Sequence, residues 1–139
     1  MSDLERYTVT MPRDLFRSFD ESIARKGYRN RSEALRDLVR AALVEEQWEN
    51  PDESVAATMT LIYDHHTHDL SEKINAIQHV HGELVVSTLH VHLNHHNCLE
   101  VIVLRGLARD VRALADSLGS IKGVKHAQLA LTTDGKDLH

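Results

Sequence analysis

An α+β chain in two parts, βαα followed by βαββαβ, is expected from three observations. Residues 6–11 alternate polar and apolar side chains. Two segments between Pro12 and Leu43 repeat apolar residues at helical spacing, and from Ala56 onward short strand-like runs bracket two amphipathic helices. With 139 residues, 42% of them hydrophobic, the chain suffices for one ordinary domain or two small ones.

In the first part, Arg6, Thr8 and Thr10 fall on one face of the strand and Tyr7, Val9 and Met11 on the other. Pro12 suits the first turn of a helix on which Leu15, Phe16, Phe19 and Ile23 recur, and Gly27 supplies its stop. Asn30 stands where it can cap the next helix, with Glu33 three residues on, and Ala34, Leu35, Leu38, Val39, Ala42 and Leu43 form the apolar stripe. A unit this small buries too little to fold alone and has no disulfide to staple it. Its lone strand has two unpaired edges, so a two-stranded ribbon made with a second copy is expected. Gln47–Ser54, polar and carrying Pro51, reads as a linker, giving a first domain at 1–48, a linker at 49–55 and a second domain at 56–139.

The second domain reads as strand Ala56–Tyr63, helix Asp69–Gln78, strands Leu84–Leu93 and Leu99–Leu104, helix Ala108–Leu118 and strand Val124–Leu131. That order is the ferredoxin-like plan, with both helices on one face of an antiparallel sheet. The net charge is -5, yet residues 1–48 carry nine basic and nine acidic side chains, so the acidic excess lies in the second part. A locally basic DNA-facing surface on the first part is compatible with this balance. No apolar run approaches the roughly 18 residues of a membrane span, and the start resembles no signal peptide, so a cytoplasmic protein without membrane partners is expected.

The chemistry concentrates in His90–Glu100, H-V-H-L-N-H-H-N-C-L-E, which holds four of the eleven histidines and the single cysteine. On a strand His90 and His92 share a face with Thr88, about 7 Å apart. Leu89, Val91 and Leu93 share the other, which is expected to face the core and leave the imidazoles toward solvent or a partner. Cys98 joins His92 only if the hairpin loop has an odd number of residues, such as 93–97 or 94–96. Cross-strand neighbours then lie about 5 Å apart, within reach of one ion at about 2.0 Å from nitrogen and 2.3 Å from sulfur. Otherwise the segment is a histidine-rich surface beside a buried thiol. An enzyme is not expected: nothing signals an oxyanion hole for a Cys-His nucleophile, and Glu100 is the one candidate base for a zinc hydrolase. A fourth ligand could come from His79, His81, His65, His66, His68, His95, His96 or His126, and the donor set suits tetrahedral zinc or planar nickel(II) or copper(II).

The segment G-Y-R-N-R-S-E-A-L-R between the first two helices resembles the ribbon-helix-helix family of dimeric DNA-binding proteins. That resemblance implies Arg6, Thr8 and Thr10 as readers of the major groove, roles their side chains suit. Over nearly its full length the chain is similar to the nickel-responsive transcriptional regulators of the NikR family, on the motif T-L-H-V-H-L-N-H-H-N-C-L-E and on Q-H-V-H-G-E-L-V-V-S-T-L-H before it. This implies an ACT-type regulatory domain and a homotetramer. It also implies one nickel(II) per chain in a square plane of His90, His92 and Cys98 from one subunit and His79 from a neighbour. The target would be an inverted-repeat operator in double-stranded DNA controlling nickel uptake. His95 and His96 become loop residues with at most secondary metal affinity, and Glu33 and Asp37 match carboxylates that help bind potassium. Tyr63–His68 matches a family segment that orders with nickel and approaches DNA, but Thr67 and His68 stand where relatives often carry Arg or Lys, leaving no phosphate-binding cation there unless His68 is protonated. The other readings are a nickel, copper or zinc buffer without a DNA role, and a ribbon-helix-helix regulator answering another ligand.

Overall fold

The computed structural model describes residues 3–139, which form two compact units, one reaching to Leu43 and including Asp137–His139, the other Val44–Lys136. In the first unit α1 (Arg13–Arg25) ends as its glycine requires. Gly27 adopts φ 84°, and the N–H groups of Gly27 and Tyr28 bond back to the carbonyls of Ala24 and Ile23. Helix α2 (Arg31–Glu49) starts where Asn30 accepts the Glu33 N–H at 2.9 Å. The strand expected over Arg6–Met11 is not paired in this single chain, because a strand needs a second backbone to bond and none is present. Tyr7, Val9, Leu15, Leu38, Val39 and Leu43 are exposed, and α1 buries no residue, so this unit lacks a core of its own.

The ends of the stretch expected as a linker belong to regular elements. Gln47, Trp48 and Glu49 complete α2, and Ser54 opens β1 (Ser54–Asp64), leaving only Asn50–Glu53 as a turn. Trp48 is the reason: its ring is buried, its Nε1–H donates to the Thr132 carbonyl at 2.7 Å, and the Arg112 guanidinium lies 5.1 Å over it.

The second unit adds α3 (Leu70–Val80), β2 (Val85–His92), β3 (Asn97–Leu107), α4 (Ala108–Gly119) and β4 (Val124–Thr132). The four strands form one sheet in the order β2-β3-β1-β4, antiparallel throughout, which is the expected α+β ferredoxin-like plan. Strict alternation buries Val55, Ala57, Met59, Leu61 and Tyr63 on β1 and Cys98, Glu100, Ile102 and Leu104 on β3. These meet Leu70 and Ile74 of α3 and Val111, Leu114, Ala115 and Leu118 of α4 in one core. Both helices therefore cover one face of the sheet.

That face is not the one expected for β2. His92 pairs with Cys98, His90 with Glu100 and Thr88 with Ile102, so the two imidazoles lie on the helix side, in line with buried residues of β3. Leu89, Val91 and Leu93 occupy the uncovered side and are exposed. β2 is an edge strand, and the helix layer falls short of its end, so histidines on the inner face still reach solvent while apolar side chains line the open one.

Candidate metal centre

The hairpin register puts Cys98 on the same face as the imidazoles, although among the described residues the group whose ligand atoms already lie within 4.8 Å of one another is Asp64, His65 and His66, not His90, His92 and Cys98. Residues 93–97 separate the paired His92 and Cys98, an odd number. Asn94 shapes the turn, its side-chain oxygen accepting the N–H groups of His96 and Asn97 at 3.0 and 2.9 Å. The rings of His90 and His92 are 5.1 Å apart by their centroids, close enough for small rotations to bring one nitrogen of each to a shared ion at about 2.0 Å. Cys98 is fully buried, and its Sγ–H donates to the Tyr63 carbonyl at 3.3 Å. Burial pushes this thiol above its ordinary pKa, so the thiolate forms readily only when a cation compensates it.

Behind the hairpin runs a chain of hydrogen bonds. The Thr88 hydroxyl donates to Gln78 Oε1 at 2.8 Å, Gln78 Nε2 donates to Glu100 Oε2 at 2.6 Å, and the Tyr63 hydroxyl donates to Glu100 Oε1 at 3.0 Å. His90 Nδ1 lies 3.3 Å from both Glu100 Oε1 and the Tyr63 oxygen. Burial first and the Glu100 charge second hold the Tyr63 hydroxyl protonated well above its ordinary range, so it stays a donor. A proton on Nδ1 toward the buried carboxylate would leave Nε2 of His90 free, the arrangement that carboxylates impose on metal-binding imidazoles. A borderline donor set of two imidazoles and a thiol fits nickel, copper or zinc.

Of this outer network only Glu100 was given a chemical role in the sequence, as a candidate base. Gln78 carries the i+4 spacing from Ile74 that places it on the buried side of α3; Tyr63 becomes a neighbour only through its pairing with Cys98. The His79 side chain is exposed in the last turn of α3 and enters no side-chain hydrogen bond among the described residues. Arg6, Thr8 and Thr10 are exposed, as base readers must be. Asp37 accepts the Tyr28 hydroxyl at 2.6 Å and Arg40 at 3.0 Å, and Arg36 and Arg40 line the same pocket as Glu33 and Asp37. The charge of Asp37 is thus balanced within the unit by Arg40.

Residues 56–132 match the NikR C-terminal nickel binding domain, and residues 5–46 match the ribbon-helix-helix proteins of the copG family. A DNA-binding module joined to a metal-binding one is the architecture of a metal-responsive regulator. The chain is 55% identical to a nickel-responsive regulator of Geobacter sulfurreducens and 51% identical to one of Geotalea uraniireducens, each over the full length of both proteins. A relative from Desulfovibrio desulfuricans is 54% identical over 99% of each chain. This chain belongs to the NikR family of nickel-responsive regulators. An uncharacterized Thermotoga maritima protein shares the fold alone, with 18% identity and a TM-score of 0.51, covering 57% of this chain and 98% of its own. No helix among the described residues is long and apolar enough to cross a membrane.

Proposed function

We propose that this protein is a cytoplasmic, non-enzymatic repressor of nickel-uptake genes that binds its operator when nickel(II) is bound. The observation that carries the reading is the pairing of His92 with Cys98 beside His90 on the inner face of a sheet edge, in a chain of this family. His90, His92 and Cys98 of one subunit would hold one tightly bound nickel(II), with His79 of a neighbouring subunit completing the set. These four side chains, held by one ion, would link two subunits in a way that neither chain's residues do alone. Glu100 orients His90 through Nδ1, and Cys98 gives up its proton and its hydrogen bond to Tyr63.

Assembly into a dimer of dimers is supported by two apolar surfaces. In the first unit a groove of about 580 Å³ is lined by Tyr7, Val9, Met11, Phe16, Phe19 and Leu35, where a second copy's strand and helices would complete a core. In the second unit the open face of the sheet exposes Leu89 (61%), Val91 (38%) and Leu93 (51%), more apolar surface than an edge strand leaves to water without a partner. Ribbon pairing would turn Arg6, Thr8 and Thr10 toward an inverted repeat in double-stranded DNA. Nickel acts by binding the DNA-competent arrangement more tightly than the others, since only differential affinity shifts a population. Potassium at Glu33 and Asp37 has less to do here than the resemblance implies, because Tyr28 and Arg40 already occupy Asp37.

The test is a nickel(II) titration of the reduced protein and its Cys98→Ser variant, followed by nickel-dependent retention of promoter DNA. A tight ion with a planar, cysteine-dependent absorption and metal-dependent, sequence-specific retention is expected. Nickel binding without specific retention would make the protein a metal buffer; retention indifferent to metal would make it a regulator answering another ligand.

A further inference from the structure

In the first unit an ion pair joins α1 to the start of α2. Arg31 donates through Nε and Nη2 to the two carboxylate oxygens of Asp20, each at 2.8 Å, and its guanidinium lies 4.5 Å over the Phe16 ring. Both arms of the planar fork are matched to oxygens, the geometry in which a guanidinium also takes a phosphate. The Arg31 hydrogen bond holds the Asp20 carboxyl below its ordinary range, so the pair is charged at neutral pH. Arg31 and Arg6 line the same groove, which puts this guanidinium beside the strand proposed to read bases.

Such a pair either fastens α1 to α2 or keeps Arg31 from phosphate, and fastening has little left to do. The pair is open to water, with 57% of the Arg31 side chain and 35% of the Asp20 side chain exposed, where ion pairs stabilise a fold weakly. The turn between the helices is already set by the Gly27 and Tyr28 N–H groups and by the Asn30 cap. We propose that Asp20 is an intramolecular stand-in for a DNA phosphate, which lowers the sequence-independent DNA affinity of the first unit by occupying the guanidinium of Arg31. An arginine beside a duplex gains affinity by displacing counterions from the backbone. One that must first release a carboxylate gains less, and it does so on every sequence alike. Base reading by Arg6, Thr8 and Thr10 then decides a larger share of where the protein stays. The inference rests on the DNA-binding reading above.

The experiment is a salt series of fluorescence anisotropy with nickel(II) present, on a random-sequence duplex and on promoter DNA. It uses the full-length wild type, Asp20→Asn, Arg31→Gln, the double variant and Glu21→Gln. Glu21, the next residue of α1, is exposed and has no ion pair among the described residues, so its loss removes the same charge without freeing an arginine. Asp20→Asn should bind both duplexes roughly two- to fivefold more tightly, the scale of an exposed ion pair. Its salt slope should steepen by about 0.9, one added phosphate contact. The double variant should match Arg31→Gln alone, and Glu21→Gln should show less than half the gain. Weaker binding by Asp20→Asn, or loss of its helical circular dichroism, would make the pair a fastener and overturn the proposal. So would a gain that survives Arg31→Gln or that Glu21→Gln equals. A wild type that retains neither duplex would sink the regulator reading and this inference with it, whereas a failed Asp20 result beside normal wild-type retention sinks this inference alone.

Discussion

His92 and Cys98 are direct partners across the β2–β3 pair, both on the helix side of the sheet, the first exposed and the second fully buried. If these side chains hold an ion as proposed, it would enter from the solvent side and meet a sulfur fixed in the core.

Cys98→Ser should weaken nickel(II) by more than the roughly 10–100-fold that losing an outer partner costs, because a ligand itself is removed. The apo fold should persist, since a serine hydroxyl can donate to the same Tyr63 carbonyl. Wild-type uptake should release a proton from the thiol and weaken as pH falls, whereas uptake at the cysteine edge in the variant should lack that thiol-derived proton release. Spectral titrations at two pH values and a thermal melt check these outcomes.

Glu100→Gln should lower nickel(II) affinity roughly 10–100-fold with the protein still folded, because the carboxylate that orients His90 is lost while a carbonyl oxygen remains to accept a hydrogen bond. Glu100→Ala should also destabilise the apo protein, by about 1–3 kcal/mol for each buried donor left unmatched among Gln78 and Tyr63. Denaturant melts separate the two variants; equal stability would remove the network from the account.

Arg6→Ala should leave nickel binding untouched and cost about 1–3 kcal/mol of discrimination between operator and random DNA, the worth of one bidentate base contact. Fluorescence anisotropy at fixed salt measures both. Uniform weakening on every sequence would assign Arg6 to phosphate.

The Tyr28 hydroxyl bond, then Arg40, holds the Asp37 carboxyl below its ordinary range. A depressed carboxyl contributes stability that is present above its unfolded value, about 3.9, and is lost as pH falls through the folded one. Tyr28→Phe should raise the Asp37 value and shrink that acid-side loss, which a carboxyl-resolved NMR titration detects.

Element order was legible because it rests on local periods: the strands of the second unit, the stop at Gly27 and the cap at Asn30 all stand where spacing puts them. The odd-residue hairpin was legible as a condition on Cys98. What the spacing of Leu89, Val91 and Leu93 could not reveal is which side of an edge strand the helices cover, since both of its faces remain wet in one chain. Alternation marks two faces without naming the inner one. Trp48 was lost to its polar neighbours, and Tyr63 and Gln78 reach Glu100 by pairings between segments far apart in sequence.

The buried Trp48 is also the only indole in the chain, and every partner it has belongs to the second unit. Intrinsic fluorescence therefore reports on one half of a two-unit molecule. An emission melt follows the metal-binding half while the first unit, with Tyr7 and Tyr28 as its only phenols, separates or unfolds unseen. Circular dichroism, to which α1 and α2 contribute, supplies the other trace, and the gap between the two midpoints measures how independently the halves come apart.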